Sequence, residues 1–304
     1  MKTDVEMIPV VTASNDKYAV GVATLFYSIL ENTKAKIDFY VLDQDISAAK
    51  KELIKKSLKD FSNFNLTFIN MDKFDLNRFP NIFHYSTSTF SRYFLADLLP
   101  QYDKIIYTDS DVIFKGDIAD YYNIDLGKKG LAAVTEETGV KYNIPWNHEY
   151  RKELFGINPK HKYFAAGNII ISGEYWRKHK IADKLVAKTL ERKDDLKAPD
   201  LDVMNMIFAN KYKQLDLKYC VCCHAWEQRK VTPELAASFD NPFIIHYTGK
   251  KPWNNDKVPF SYEFLRVLEK TAFYPIRGLY GNQWTTIKKY KLFGLLPLLS
   301  IEEK

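Results

Sequence analysis

The sequence predicts an α/β fold built on a doubly wound, mostly parallel mixed sheet flanked by helices, and three observations carry that expectation. Short runs rich in Val, Ile, Phe and Tyr alternate with stretches of helical periodicity through the first 110 residues. No internal repeat, low-complexity tract or Gly/Ser linker divides the chain. Its 304 residues are 46% hydrophobic and 27% charged with only 12 Gly and 12 Pro, which provides for a sizeable core and excludes collagen-like, disordered and mini-protein classes.

The elements follow in order. Ile8 to Thr12 reads as the first strand, and Tyr18 to Leu30 carries Val22, Leu25, Phe26, Ile29 and Leu30 at helical spacing. Ile37 to Leu42 is the next strand; Ser47 then caps a helix reaching Leu58, with Ile54 and Leu58 on its apolar side. Leu66 to Ile69, Lys104 to Tyr107, Leu131 to Val134, Asn168 to Ser172 and Phe243 to His246 complete the expected strands. Two further helices are expected over Tyr175 to Glu191 and Asp200 to Ala209. Strand, helix, strand succession implies right-handed crossovers, and it places a ligand site beyond the carboxyl ends of the strands. One main domain is expected over residues 1–254, followed by a helical, amphipathic C-terminal extension over 255–304.

Aromatic residues reach 15%, with 20 Tyr and 20 Phe, which suits a pocket that stacks flat ligands. Lys and Arg (44) exceed Asp and Glu (38) by 6, a mild excess that fits acidic small molecules or an anionic membrane surface. Nucleic acid is not an expected partner, since no basic recognition motif is present. Part of the excess lies in Lys288, Lys289 and Lys291, interleaved with rings and leucines from Trp284 to Leu299, a segment expected to bind anionic membrane surfaces. The three cysteines, Cys220, Cys222 and Cys223, cannot make a spread disulfide framework and point to a reducing compartment. Their C-x-x-C spacing without a second pair is weak evidence for zinc, and Val221 to Ala225 reads as a strand with buried, structural thiols. Lys2, Asp4 and Glu6 break any signal peptide, and no apolar run approaches the roughly 18 residues of a membrane span. A cytoplasmic protein, peripheral at the inner face of the membrane, is expected.

Two motifs carry chemistry. In Lys104-Ile105-Ile106-Tyr107-Thr108-Asp109-Ser110-Asp111, an apolar strand runs into two carboxylates two apart, which extended backbone directs to one face. Asp109 and Asp111 can converge on a hard cation that bridges to a diphosphate; solvated acids in a turn are the plainer reading. In His246-Tyr247-Thr248-Gly249-Lys250-Lys251-Pro252-Trp253, an imidazole leaves a strand and adds nitrogen, which favours Mn²⁺ over Mg²⁺. Gly249 lets backbone approach a phosphate and Lys251 supplies a point charge.

Together these motifs resemble glycosyltransferase family 8, retaining enzymes with a GT-A fold that include bacterial lipopolysaccharide galactosyl- and glucosyltransferases. Ala13-Ser14-Asn15-Asp16-Lys17-Tyr18, Ser91-Arg92-Tyr93, Tyr163-Phe164-Ala165-Ala166-Gly167-Asn168 and Asp200-Leu201-Asp202 extend the resemblance in family order over residues 8 to 255. It implies that Asp109, Asp111 and His246 hold Mn²⁺, or Mg²⁺, against a UDP diphosphate gripped by Gly249 and Lys251. It also implies that Ala13, Asn15 and Tyr18 line the uracil pocket, that Arg92 and Asp200 contact the donor sugar as catalytic residues, and that His84 and Thr248 face the acceptor. The implied reaction moves a hexose, galactose or glucose, from a UDP-sugar to a cell-surface glycan or lipid-linked acceptor such as lipopolysaccharide. Leu201 stands where relatives commonly carry Gln, and Ala165 where they carry Asn. These departures motivate the alternative of a sugar-nucleotide-binding relative with lost or altered transfer. Simple helix capping is a rival role for Asp200 and Asp202, which follow Pro199 at a helix start.

Overall fold

The computed structural model describes residues 7–72, 74–80, 87–135, 156, 162–223, 233–255 and 257–274. The strands are β1 (Ile8–Asn15), β2 (Ile37–Gln44), β3 (Phe64–Asn70), β4 (Lys104–Thr108), β5 (Val112–Phe114), β6 (Leu131–Thr135), β7 (Phe164–Ser172), β8 (Lys213–Leu215), β9 (Val221–Cys222) and β10 (Ile244–His246). Helices are α1 (Ala19–Asn32), α2 (Ala48–Ser57), α3 (Leu95–Leu98), α4 (Ile118–Tyr122), α5 (Gly173–Lys178), α6 (Ile181–Glu191), α7 (Pro199–Ile207), α8 (Pro233–Asp240) and α9 (Ser261–Leu268). Seven strands form one sheet in the order β3-β2-β1-β4-β7-β6-β8, and β5, β10 and β9 form a small second sheet. β1 pairs parallel with both β2 and β4, whereas β7 is antiparallel to β4 and β6. The chain thus winds outward from β1 to β3 and resumes at β4 on the other side of β1. That reversal opens a crevice at the carboxyl ends of β1 and β4, where Asn15 and Asp109 stand.

Apolar side chains explain the two layers. Val22, Leu25, Phe26 and Ile29 of α1 bury against Val10, Phe39 and Val41 on one sheet face. Val11, Tyr107, Ile169 and Ile171 pack on the other with Trp176, Leu185 and Phe208. Alternation along a strand sends successive residues to these two cores. The expected helix over Tyr175–Glu191 is instead two helices, because Lys180 adopts φ 49° and turns the chain between α5 and α6. Within the expected extension, α9 buries Phe264, Leu265 and Leu268 in the same core as α1, so this part of it is packed on the main body. The Trp284–Leu299 segment and His84 lie outside the described residues. No helix among the described residues is long and apolar enough to cross a membrane.

Candidate functional site

β4 ends at Thr108, and its continuation places Asp109 and Asp111 at the crevice. The Asp109 amide donates to Gly167 O at 2.7 Å, tying the turn to β7. Gly21 makes the close approach of α1 to this turn feasible, since a β-carbon there would collide with the Ser110 carbonyl and meet the Trp253 ring at 3.3 Å. The partner of the turn arrives through the small sheet: β10 is antiparallel to β5 with His246 opposite Val112, which sets the imidazole beside Asp111. His246 Nε2 lies 3.3 Å from Asp111 Oδ1 and 3.7 Å from Asp109 Oδ2. Gly167 completes the cradle, because a β-carbon on it would press on the His246 ring and sit 2.8 Å from Asp109 Oδ2.

Electrostatics bind the cluster into one unit. Lys251 Nζ donates to Asp111 Oδ2 and, at 2.9 Å, to Tyr247 O. Burial raises the Asp111 carboxyl, but Lys251 and His246 outweigh it and hold the group well below the usual carboxylate range. Burial pushes His246 down, yet the Asp111 charge and hydrogen bond prevail and lift it to about 10. Asp109 is raised, first by burial, with Arg92 opposing. Arg92 is itself buried, pairs with Asp109 at 2.9 Å and Asp200 at 3.2 Å, and donates to Ala166 O at 2.7 Å. Its guanidinium lies 4.4 Å over the Tyr107 ring, whose hydroxyl donates to Asp109 Oδ1 at 3.0 Å.

Asp109, Asp111, His246, Lys251, Arg92 and Asp200 are therefore brought into one connected group. The capping alternative falls to Asp202 among the two acids of α7: its Oδ2 accepts from Lys197 N at 3.1 Å and Ala198 N at 3.0 Å, and Tyr163 donates to its Oδ1. Asp200 instead faces Arg92. Ala13 and Asn15 end β1, where the Asn15 side chain accepts from Lys17 N and caps the turn leading into α1. Tyr18 is edge-on to Trp253 at 5.6 Å, and Lys251 Nζ lies 6.0 Å from its ring centre. These rings border a cleft of about 280 Å³ lined also by Lys17, Gly249, Lys250 and Asn254. Gly249 has φ 79°, a conformation that favours glycine. Thr248 follows His246 and is half-buried.

Sequence reasoning missed one neighbour. β9 runs parallel to β10 with Cys222 beside His246, so Cys220 Sγ lies 3.8 Å from His246 Nδ1 and 4.0 Å from Cys222 Sγ. The hydrogen bond with Cys222 holds the Cys220 thiol well below its ordinary value despite burial, and His246 reinforces this. The C-x-C spacing was the available signal, but only the strand pairing supplies the histidine.

The family model for glycosyl transferase family 8 matches residues 9–257. General stress protein A of Bacillus subtilis (strain 168) is 26% identical over 292 residues, covering 91% of this chain and 99% of that protein. Glycosyltransferase GlyA of Streptococcus pneumoniae serotype 4 (strain ATCC BAA-334 / TIGR4) is 29% identical over 250 residues, covering 81% of this chain and 32% of that protein. The chain thus spans about a third of the length of GlyA, and 57% of the length of GlyE from the same strain. Among solved structures, the bifunctional glycosyltransferase WbbM in its apo form matches with a TM-score of 0.79 and 25% identity, covering 92% of this chain and 52% of that one. The galactosyltransferase LgtC, solved with donor and acceptor sugar analogues, shares the fold at a TM-score of 0.72 and 24% identity, covering 87% of this chain and 96% of that one. The mixed, mostly parallel seven-stranded sheet flanked by helices is the GT-A arrangement of these neighbours.

Proposed function

Because the chain belongs to glycosyl transferase family 8, we propose that it moves a hexose, galactose or glucose, from a UDP-sugar to a cell-surface glycan or lipid-linked acceptor with retention of configuration. One observation carries this reading: two carboxylates, an imidazole and a lysine converge where β1 and β4 part. The donor set fits a divalent cation, since one oxygen each from Asp109 and Asp111 and one nitrogen of His246 lie within 4.8 Å of one another. Asp109, Asp111 and His246 would hold it, and the nitrogen favours Mn²⁺ over Mg²⁺. Such an ion supplies positive charge toward the departing diphosphate.

The chain's own residues do the rest. Lys251 moves its charge from Asp111 to the phosphates, and Gly249 lets backbone approach them. Tyr18, with Ala13 and Asn15 at the end of β1, borders the base. Arg92 holds Asp109 and Asp200 in fixed relation, and Asp200 orients sugar hydroxyls. The acceptor hydroxyl, on the Thr248 side, attacks the anomeric carbon on the face from which UDP leaves. Its proton passes to the departing phosphate oxygen as the bond from that oxygen to the sugar breaks. LgtC, which shares this fold, was solved with donor and acceptor sugar analogues, and this supports a donor and an acceptor site here.

Leu201 packs its half-buried side chain against the core that holds Trp176 and Phe208, and a leucine offers no polar group to a sugar from this position. This favours transfer without a side-chain nucleophile there, or binding without transfer. A panel of UDP-sugars with Mn²⁺, read by UDP release with and without acceptor and by product mass, separates the two. Absence of metal-dependent UDP affinity overturns both. We further propose that residues 284–299 dock the enzyme on anionic membranes at the cytoplasmic face; unchanged vesicle co-sedimentation after deletion beyond Gln283 refutes this.

A further inference from the structure

The His246 ring faces two different sets of ligand atoms. Its Nε2 looks toward the carboxylates, while Nδ1 lies 3.8 Å from Cys220 Sγ, which is 4.0 Å from Cys222 Sγ. The two sulfurs and a ring nitrogen all fall within 4.8 Å of one another. We propose that Cys220, Cys222 and His246 Nδ1 form a second cation site that takes a thiophilic divalent ion, with Zn²⁺ as the ion of matching chemistry.

Ligand geometry supports this before any adjustment. A tetrahedral ion with bonds of about 2.3 Å to sulfur and about 2.0 Å to nitrogen has S···S and S···N edges of about 3.8 and about 3.5 Å. The separations of 4.0 and 3.8 Å need only a small contraction on these two edges, and the third, from Cys222 Sγ to the ring nitrogen, lies within 4.8 Å. Two thiolates and an imidazole select a soft or borderline cation, whereas the carboxylates on the other side of the ring select a hard one. The strand pairing that sets Cys222 beside His246 fixes these two ligands on a backbone ladder, with Cys220 in the turn just before β9. Asn168 Nδ2 donates to Cys220 Sγ at 3.4 Å, and its own Oδ1 accepts from Thr108 at 2.5 Å, an outer layer of the kind that orients metal ligands. Cys220 and His246 are buried while Cys222 is half-buried, which leaves a side for the ion to enter and for water as a fourth ligand. On binding, protons held by the thiols and the imidazole pass to solvent and the ion takes their place.

Cobalt titration of the full chain under anaerobic conditions tests this without any sugar substrate. Co²⁺ should produce a thiolate-to-metal charge-transfer band in the near ultraviolet with the visible bands of a tetrahedral ion, and Zn²⁺ should bleach both. Cys220→Ser and Cys222→Ser should each abolish the charge-transfer band or reduce it by at least about half. Cys223→Ser and Asp111→Asn should keep it, the latter because carboxylate-bound Co²⁺ gives no sulfur band. A wild-type protein that shows no such band at saturating Co²⁺ overturns the proposal, whether or not the serine variants fold. An undiminished band in the Cys220→Ser, Cys222→Ser double variant, or its loss in a folded Cys223→Ser variant, overturns it equally.

Discussion

Gly167→Ala is the most direct perturbation of the cradle beneath the carboxylates. Gly167 lies in β7 with no positive φ, so the backbone accepts alanine, and the effect falls on its neighbours. The added methyl would sit 2.8 Å from Asp109 Oδ2 and 2.9 Å from His246 Nδ1, with Cε1 of the ring closer still. Ordinary contact begins at 3.4 Å, so the Asp109 oxygen must retreat by 3.4 − 2.8, about 0.6 Å, and the imidazole by more. Neither moves freely: Asp109 is held by Arg92 and Tyr107, and His246 ends a strand paired on both sides. Overpacking of this kind costs about 1–3 kcal/mol of stability. Displacing ligands by about 1 Å lowers function by about 100-fold. Calorimetric titration of UDP in the presence and absence of Mn²⁺ should therefore show metal-dependent affinity reduced by about 10- to 100-fold, with a lowered but cooperative melt. Wild-type affinity in a folded Gly167→Ala protein would refute the argument that these donors need their present positions.

Three more outcomes follow from the same site. Asp109→Ala and Asp111→Ala should each lose Mn²⁺-dependent UDP binding, since each removes one ligand; calorimetry showing unchanged affinity counts against the carboxylates as ligands. Mn²⁺ must displace the proton on His246, which Asp111 holds up to about 10, so apparent Mn²⁺ affinity should rise by about tenfold per pH unit between about pH 6 and about pH 8; a flat profile removes His246 from the ligand set. Asp200→Asn should lower turnover roughly 10- to 1,000-fold without accumulation of a glycosyl-enzyme, and intact-protein mass spectrometry that finds a hexose on Asp200 in the wild type rejects attack from the leaving-group face.

What the sequence discloses tracks the range of the interaction that forms each feature. β1, β2 and β4 are legible because β-branched and aromatic runs report a buried strand locally, and α1 because its apolar stripe repeats at helical spacing. β5 and β8 are three residues each and carry too little pattern, and β8 is a polar edge with only Leu215 buried. The break at Lys180 is hidden because lysine gives no sign of a left-handed conformation, unlike Gly249. At the site, the acid pair and the histidine stand out by residue type, yet their meeting depends on β10 reaching back to β5. Gly167 was visible within a motif, but its reason, the lack of room beside His246, belongs to the folded chain alone. The thiols beside His246 likewise depend on a parallel pairing that no local spacing announces.

Charge pairing explains why the acids of the site sit beside a lysine, an arginine and a histidine. Asp109 and Asp200 pair with Arg92, and Asp111 pairs with Lys251 and His246, so each buried acid has a basic partner at hand. On the proposed function, a nucleotide diphosphate entering alone would add negative charge beside these acids. A divalent ion entering alone would have to expel the His246 proton and compete with Lys251 for Asp111. Together they would relieve both costs, since Asp111 would pass to the ion and Lys251 to the phosphates. Arg92, bonded to Ala166 O and placed over the Tyr107 ring, would keep Asp109 and Asp200 at a fixed spacing meanwhile. On that function the lysine paired with Asp111 would be the group released to grip the nucleotide, which would couple cation and nucleotide binding through a single side chain.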